Sequence, residues 1–148
     1  MSSTQPFVVR SVASDDDLAP APIDPSWIIE GTPQARARRL SFSNEGTVGA
    51  TIWDCTAGRF DWHYRGDEIV KILAGEVEVT PPGGSPTILR EGDVVWFPGN
   101  QVVRWHVREY VKKLQMDNTQ ASLPRRIAHR VPFARKLVRR LRAVGGRA

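Results

Sequence analysis

Hydrophobic and polar residues alternate in short segments through the middle of the chain. Residues 76–80 show this best, because two valines alternate there with glutamates and a threonine. A period of two in short runs predicts β-strands with one buried and one exposed face, and many such strands favour a sandwich or barrel. Turns separate these segments, and Ala74 with Gly75 is interpreted as one of them. The predicted strands are residues 36–43, 48–56, 59–64, 68–73, 76–80, 86–89, 94–97, 102–107 and 110–116.

The periodicity changes near the C terminus. Apolar residues recur there at steps of three and four, which is typical of one face of an amphipathic helix, and the helix is predicted from Pro132 to Val144. The N-terminal residues carry serines, prolines and an acidic run without periodicity. The chain therefore divides into an irregular arm (1–25), an all-β domain (26–120) and a basic amphipathic helical tail (121–148). The apolar stripe of the tail consists of Ile127, Val131, Ala134, Leu137, Val138, Leu141 and Val144.

The net charge of +5 conceals a strong asymmetry along the 148 residues. No acidic residue follows Asp117, whereas nine arginines or lysines do, so residues 1–117 carry a net charge of −4. A basic amphipathic tail predicts binding to an anionic membrane surface or to nucleic acid. The alternative is a helix that packs its apolar stripe on the barrel or on a second subunit, with the arginines in solvent.

Cysteine content and hydropathy limit the setting of the protein. The single cysteine, Cys55, cannot form an intramolecular disulfide, and its position in an apolar stretch predicts a buried, inert thiol. No apolar run approaches the roughly 20 residues of a membrane-spanning helix, and no secretory leader is recognisable. These features predict a cytoplasmic protein.

Two segments carry a recognisable spacing of residues. In the first, residues 58–75, Glu68 and Gly75 are separated by six residues and His63 precedes Glu68 by four intervening ones. In the second, residues 92–107, five residues separate Gly92 from Pro98. The two segments resemble the conserved motifs of the cupin superfamily. The first motif has a histidine pair separated by one residue, a glutamate after three or four more, and a glycine after a further six. The second has a glycine, five residues, a proline and then a histidine.

The resemblance implies a jelly-roll β-barrel of the cupin type. Within the superfamily the chain is most similar to small single-domain proteins of the (S)-ureidoglycine aminohydrolase cupin-domain type, on the strings at residues 53–60, 67–70, 73–77 and 105–107. This similarity implies a small polar ligand in the barrel, metal-assisted hydrolysis of small C–N compounds, and a homodimer.

Cupin metal sites, as the resemblance implies, use three histidines and a glutamate on neighbouring strands. On the spacing above, Asp61 and His63 correspond to the histidine pair, and Val103 replaces the histidine of the second motif. Strand alternation places Asp61 and His63 on one face, and the barrel interior is expected to receive them. We therefore predict Asp61, His63 and Glu68 as ligands of one divalent ion (Mn, Fe, Ni or Zn). The alternative is a hydrogen-bonded polar cluster without a metal.

Further residues complete the predicted site. Glu68, Tyr64 and Lys71 are the candidate catalytic groups, although alternation also allows Lys71 to point into solvent. The candidate ligand pocket consists of Trp62, Val103 and Trp105, and the alternative for Trp62 and Trp96 is core packing or a dimer contact. Three functions stay open: a metal-dependent hydrolase, a non-catalytic binding protein for a small polar metabolite, and a barrel that acts through its basic tail.

Overall fold

The fold is almost entirely β-structure. The computed structural model describes residues 17–43 and 47–118, so the predicted helical tail and its membrane or nucleic-acid partners lie outside the described residues. Within these ranges helical structure is limited to a short 3-10 turn at Pro25–Trp27 and to Asp17, which confirms the all-β prediction. The strands are β1 (Ala19–Pro20), β2 (Ile28–Glu30), β3 (Ala35–Phe42), β4 (Val48–Tyr64), β5 (Glu68–Thr80), β6 (Thr87–Arg90), β7 (Val94–Phe97) and β8 (Gln101–Asn118).

All eight strands belong to one antiparallel sheet. The order is β1-β3-β4-β8-β5-β6, with β2 paired to β4 and β7 paired to β5. A single hydrophobic core receives side chains from every strand between β3 and β8. Strand β3, next to one end of the sheet, and strand β6, at the other end, contribute to the same core, so the sheet must curve around it. The interior of this curved sheet is called the barrel interior below.

Strands β4, β5 and β8 are longer than the sequence pattern indicates, and β8 joins the two strands predicted at residues 102–107 and 110–116. Residues 48–56 and 59–64, predicted as separate strands, form the single strand β4, with a register shift between Thr56 and Gly58. Ala74 and Gly75 lie inside strand β5 rather than in a turn, so that prediction is wrong. The register of β5 against β8 shifts on both sides of this dipeptide. Such bulges bend a long strand, which lets it serve both sides of a barrel without a loop.

The bulge in β4 also changes which residues point inward. Before it, Trp53 and Cys55 belong to the core, whereas after it the core residues are Phe60 and Tyr64, with Trp62 packed against them. The inward phase therefore passes from odd-numbered to even-numbered positions along one strand. A pattern of strict alternation does not contain this change, because the extra residue of a bulge is set by pairing with the neighbouring strand.

Candidate functional site

The three predicted metal ligands do not meet. On β4 and β8, Asp61 lies opposite Arg104, while Trp62 lies opposite the core residue Val103. Directly paired residues share a face, so Asp61 belongs to the outer face of the sheet. There its carboxylate accepts hydrogen bonds from Nε and Nη2 of Arg104 at 2.9 and 3.2 Å.

The side chains of His63 and Glu68 also differ in burial, although both residues border the cavity described below. His63 is exposed and its imidazole stacks on Trp27, with the ring centroids 4.5 Å apart. Glu68 is buried and faces Lys113 inside the barrel. The prediction that Asp61, His63 and Glu68 converge is therefore wrong, because the register of β4 on β8 turns Asp61 and His63 outward. Among residues 17–43 and 47–118, no group of three or more His, Cys, Asp or Glu side chains is placed to hold a metal ion.

The structure shifts the first motif by one residue. The inward pair separated by one residue is Trp62 and Tyr64, and three residues separate Tyr64 from Glu68, which is the shorter spacing of the motif. With Val103 opposite Trp62, the four ligand positions of the motifs carry Trp, Tyr, Glu and Val. Only the glutamate is a usual ligand of the divalent ions considered, so these residues do not fit such an ion.

The barrel interior contains a buried lysine, Lys113, whose burial was not predicted from the sequence. Lys113 of β8 is 1% exposed, and its Nζ donates to Oε1 of Glu68 at 3.1 Å. The same Nζ lies 4.8 Å from the ring centroid of Trp105, 5.0 Å from that of Trp53 and 5.5 Å from that of Trp62. These distances are in the range of cation–π contacts. Sequence reasoning missed Lys113, although its alternation with the buried Val111 on β8 was a usable signal.

A cavity of about 390 Å³ opens at the end of the barrel where β4, β5 and β8 meet. Glu68 and Asp117, which lie directly opposite each other on β5 and β8, are both in its wall. Three wall residues carry a buried polar atom that has no hydrogen-bond partner within the described part of the chain: Tyr64 (Oη), Gln115 (Oε1) and Asp117 (Oδ1). The full wall consists of Trp62, His63, Tyr64, Arg65, Gly66, Glu68, Gln115, Asp117 and Asn118.

Tyr64 keeps its proton in this setting. Burial raises the pKa of its hydroxyl well above the ordinary value of 10.0, and the negative charge of Glu68 raises it further. The indole N–H of Trp105 acts in the opposite direction, but it does not reach the hydroxyl in hydrogen-bonding geometry. Tyr64 is therefore a neutral group at physiological pH that can both donate and accept a hydrogen bond.

The remaining predicted site residues divide between the cavity and other surroundings. Trp62 lines the cavity, as expected for the pocket. Val103 and Trp105 are buried in the core and do not line the cavity, which corrects their assignment to its wall. Lys71 is exposed on β5, so the alternative of a solvated lysine describes it better than a catalytic role.

Trp96 lies outside the core. Its side chain is 60% exposed on β7, directly opposite the exposed Ile69 of β5, so the prediction of core packing is wrong. The alternative, a contact with a second subunit, stays a prediction.

Cys55 is fully buried, which confirms its prediction as a core thiol. Burial, followed by the charge of the neighbouring Asp54, raises its pKa to about 12. We expect Cys55 to resist an aromatic disulfide reagent at pH 8 in the native state and to react at once in denaturant. We also expect native stability to fall as pH rises from 9 towards 12, because only the unfolded thiol ionises there. A Cys55→Ala variant should weaken this alkaline loss, and rapid labelling of the native protein would contradict the account.

Comparisons with known proteins relate the chain to proteins with a cupin-type fold. Residues 42–114 match the family model of the EutQ-like cupin domain. The solved structures that the chain resembles include a protein of unknown function from Pseudomonas syringae pv. tomato, in the DUF861 family. It has a TM-score of 0.62 and 27% identity, with 67% of this chain and 43% of that chain covered. The family match and these structures show that the chain has a cupin-type all-β fold.

Two further cupin structures support the fold alone. The ethanolamine utilization protein Q (EutQ) of Salmonella typhimurium has a TM-score of 0.52 and 23% identity, over 57% of this chain and 69% of that chain. The EutQ protein of Clostridium difficile has a TM-score of 0.52 and 18% identity, over 59% and 64%. No curated protein matches the chain. The chain spans less than half the length of the Pseudomonas protein that it resembles. In its described residues, no helix has the length and apolarity to cross a membrane.

Proposed function

We propose that the cavity at the end of the barrel binds a small polar metabolite rich in N–H groups, such as a ureide, an amide or an amine. The observation that carries this proposal is the set of buried acceptor atoms without partners on Gln115 and Asp117. A buried polar atom that lacks a hydrogen bond costs about 1–3 kcal/mol, and a ligand that donates to these atoms offsets that cost.

The charges around the cavity favour a particular orientation of the ligand. Glu68 and Asp117 place two carboxylates in the wall. One oxygen of each faces a cation, Lys113 at 3.1 Å and Arg39 at 3.8 Å, and the second oxygen of each can accept from an N–H donor. Arg65 lies exposed in the same wall and supplies a positive charge near solvent. A ligand with N–H groups at one end and a carboxylate at the other fits this arrangement, with the N–H end inward. The volume of about 390 Å³ suits such a molecule, since ligand cavities usually measure roughly 300–1,000 Å³.

The resemblance to ureidoglycine aminohydrolase cupins supports the same ligand class, because ureides carry the required donors. It does not extend to metal-assisted hydrolysis in this proposal. Trp62, Tyr64 and Val103 occupy three of the four ligand positions of the motifs and none is suited to the ion, so the proposal is binding without a metal-dependent step.

The test is a thermal-shift and calorimetric panel of small ureides, amides and amines, each paired with its N-methylated form. We expect a donor-rich compound to raise the melting temperature of the wild type, while its N-methylated partner does not. Tyr64→Phe and Gln115→Leu should each weaken binding by about tenfold or more, since one good hydrogen bond in a buried site contributes about 1.4 kcal/mol.

Lys71→Ala is the matched control, because Lys71 is exposed and lies outside the cavity wall. It should bind as tightly as the wild type. Equal binding of the N-methylated compounds, or full affinity in a correctly folded Gln115→Leu variant, would overturn the proposal.

A further inference from the structure

The barrel interior carries a cation of its own. The ammonium of Lys113 is enclosed by one carboxylate and three indole rings, and it is almost completely removed from solvent. An unpaired ammonium in such a place would be very costly, so the surrounding groups must compensate its charge. Glu68 does so by an ion pair, and the tryptophans do so through the negative faces of their rings.

The position of this cation relates directly to the motif residues. Glu68 is the glutamate of the first motif, and Trp62 occupies the place of the first histidine. Both contact the ammonium, at 3.1 Å to the carboxylate oxygen and 5.5 Å to the ring centroid. We infer that the ammonium of Lys113 takes the place of the divalent ion in this barrel, which makes it a cupin with a built-in, metal-independent cation centre.

This cation contacts a carboxylate that lines the ligand cavity. Glu68 lines the cavity and Lys113 does not, so the lysine lies behind the carboxylate as seen from the cavity. By donating to one oxygen of Glu68 it holds that carboxylate in place. Lys113 is thus a positioning residue for the site proposed above, and the inference deepens that proposal. Its test uses no metabolite, so the two can fail separately.

Chemical rescue tests the inference directly. In Lys113→Ala, propylammonium replaces the missing part of the side chain, including its charge. We expect millimolar propylammonium to raise the melting temperature of this variant saturably and to change its tryptophan fluorescence, because Trp53, Trp62 and Trp105 surround the vacated space. The uncharged 1-propanol has nearly the same shape and should give no saturable effect. Neither compound should affect the wild type or Lys71→Ala, whose replaced side chain is exposed.

A second variant keeps the inference testable if Lys113→Ala does not fold. Lys113→Met preserves the length of the side chain without its charge, and leaves Glu68 buried beside no cation. A buried carboxylate without a counter-charge is destabilising in its charged form, so the variant should lose stability as pH increases from 5 to 8, relative to the wild type. Lys113→Met combined with Glu68→Gln should remove this pH dependence. If Lys113 served packing alone, the curves of stability against pH of the wild type and both variants would be parallel.

Two results would overturn the inference. One is equal rescue by propylammonium and propanol, or a flat pH profile in Lys113→Met. The other is stoichiometric Mn, Fe, Ni or Zn in wild-type protein purified without an affinity-metal column, if that metal is lost on Glu68→Gln. Absence of bound metal together with rescue specific to the ammonium is the expected result.

Discussion

Replacing Glu68 with leucine is expected to lower the free energy of unfolding by about 3–5 kcal/mol, because it leaves a buried ammonium without its counter-charge. Lys113 is 1% exposed, so it cannot turn into water to recover its hydration. The three indole rings compensate only part of the lost ion pair. Urea unfolding followed by circular dichroism and by tryptophan fluorescence measures the change.

The double variant separates the ion pair from simple packing. Glu68→Leu combined with Lys113→Met replaces both charges with apolar groups, which is often nearly neutral for a buried pair. We therefore expect the double variant to be more stable than Glu68→Leu alone, with a coupling of about 1–3 kcal/mol between the two sites. Additive losses, or a cost below about 0.5 kcal/mol for Glu68→Leu, the size of an ordinary surface change, would show that the ion pair does not stabilise the barrel.

Gly75→Ala is expected to lower the free energy of unfolding by at least about 3 kcal/mol, or to prevent folding. Gly75 has φ of 72°, and a Cβ added there would lie 2.1 Å from the carbonyl oxygen of Tyr110. The clash is with the backbone of a paired strand, so no side-chain rotation relieves it. Strand β5 would have to move away from β8. These two strands carry Glu68 and Lys113, so their ion pair would be disturbed as well. Thermal unfolding and the yield of folded protein are the measurements.

Gly83→Ala is the control for this prediction. Gly83 also has a positive φ, of 66°, but an added Cβ there meets no atom within 4 Å. Its substitution carries only the conformational cost of the left-handed region, about 1–2 kcal/mol. If Gly75→Ala cost no more than Gly83→Ala, the close approach of β5 to β8 at the bulge would not be a constraint on the fold.

The two predictions concern one structural unit. Strands β5 and β8 pair on both sides of the Gly75 bulge, and they provide Glu68, Lys113, Gln115 and Asp117 to the interior. Pairing of β5 with β8 brings Lys113 next to Glu68, and Lys113 in turn holds the Glu68 carboxylate that lines the cavity. Proteins that share a fold need not share an activity, so the function of this protein is argued from these side chains.

Much of the architecture followed from the sequence. Alternation along residues 76–80, together with the β-branched and aromatic runs, predicted strands, because a half-buried strand repeats its environment every two residues. The spacing from Glu68 to Gly75 indicated the cupin motif, and Glu68 is indeed buried in the barrel. The burial of Cys55 was also predictable, since it lies in a predominantly apolar stretch of the chain.

The site itself was decided by the tertiary structure. Alternation groups Asp61 with His63 and Trp62 with Tyr64, but it does not say which group faces inward. The pairing of Trp62 with Val103 decides that, and it depends on a bulge near Gly58 and on a strand 40 residues away in sequence. Lys112 and Lys113 are adjacent lysines in the sequence, and only the register of β8 turns one of them into the core. A local sequence pattern shows that every second residue of a strand shares a face. Which of the two faces points inward is set by pairing with distant strands, and that pairing places Lys113 beside Glu68 in the barrel interior.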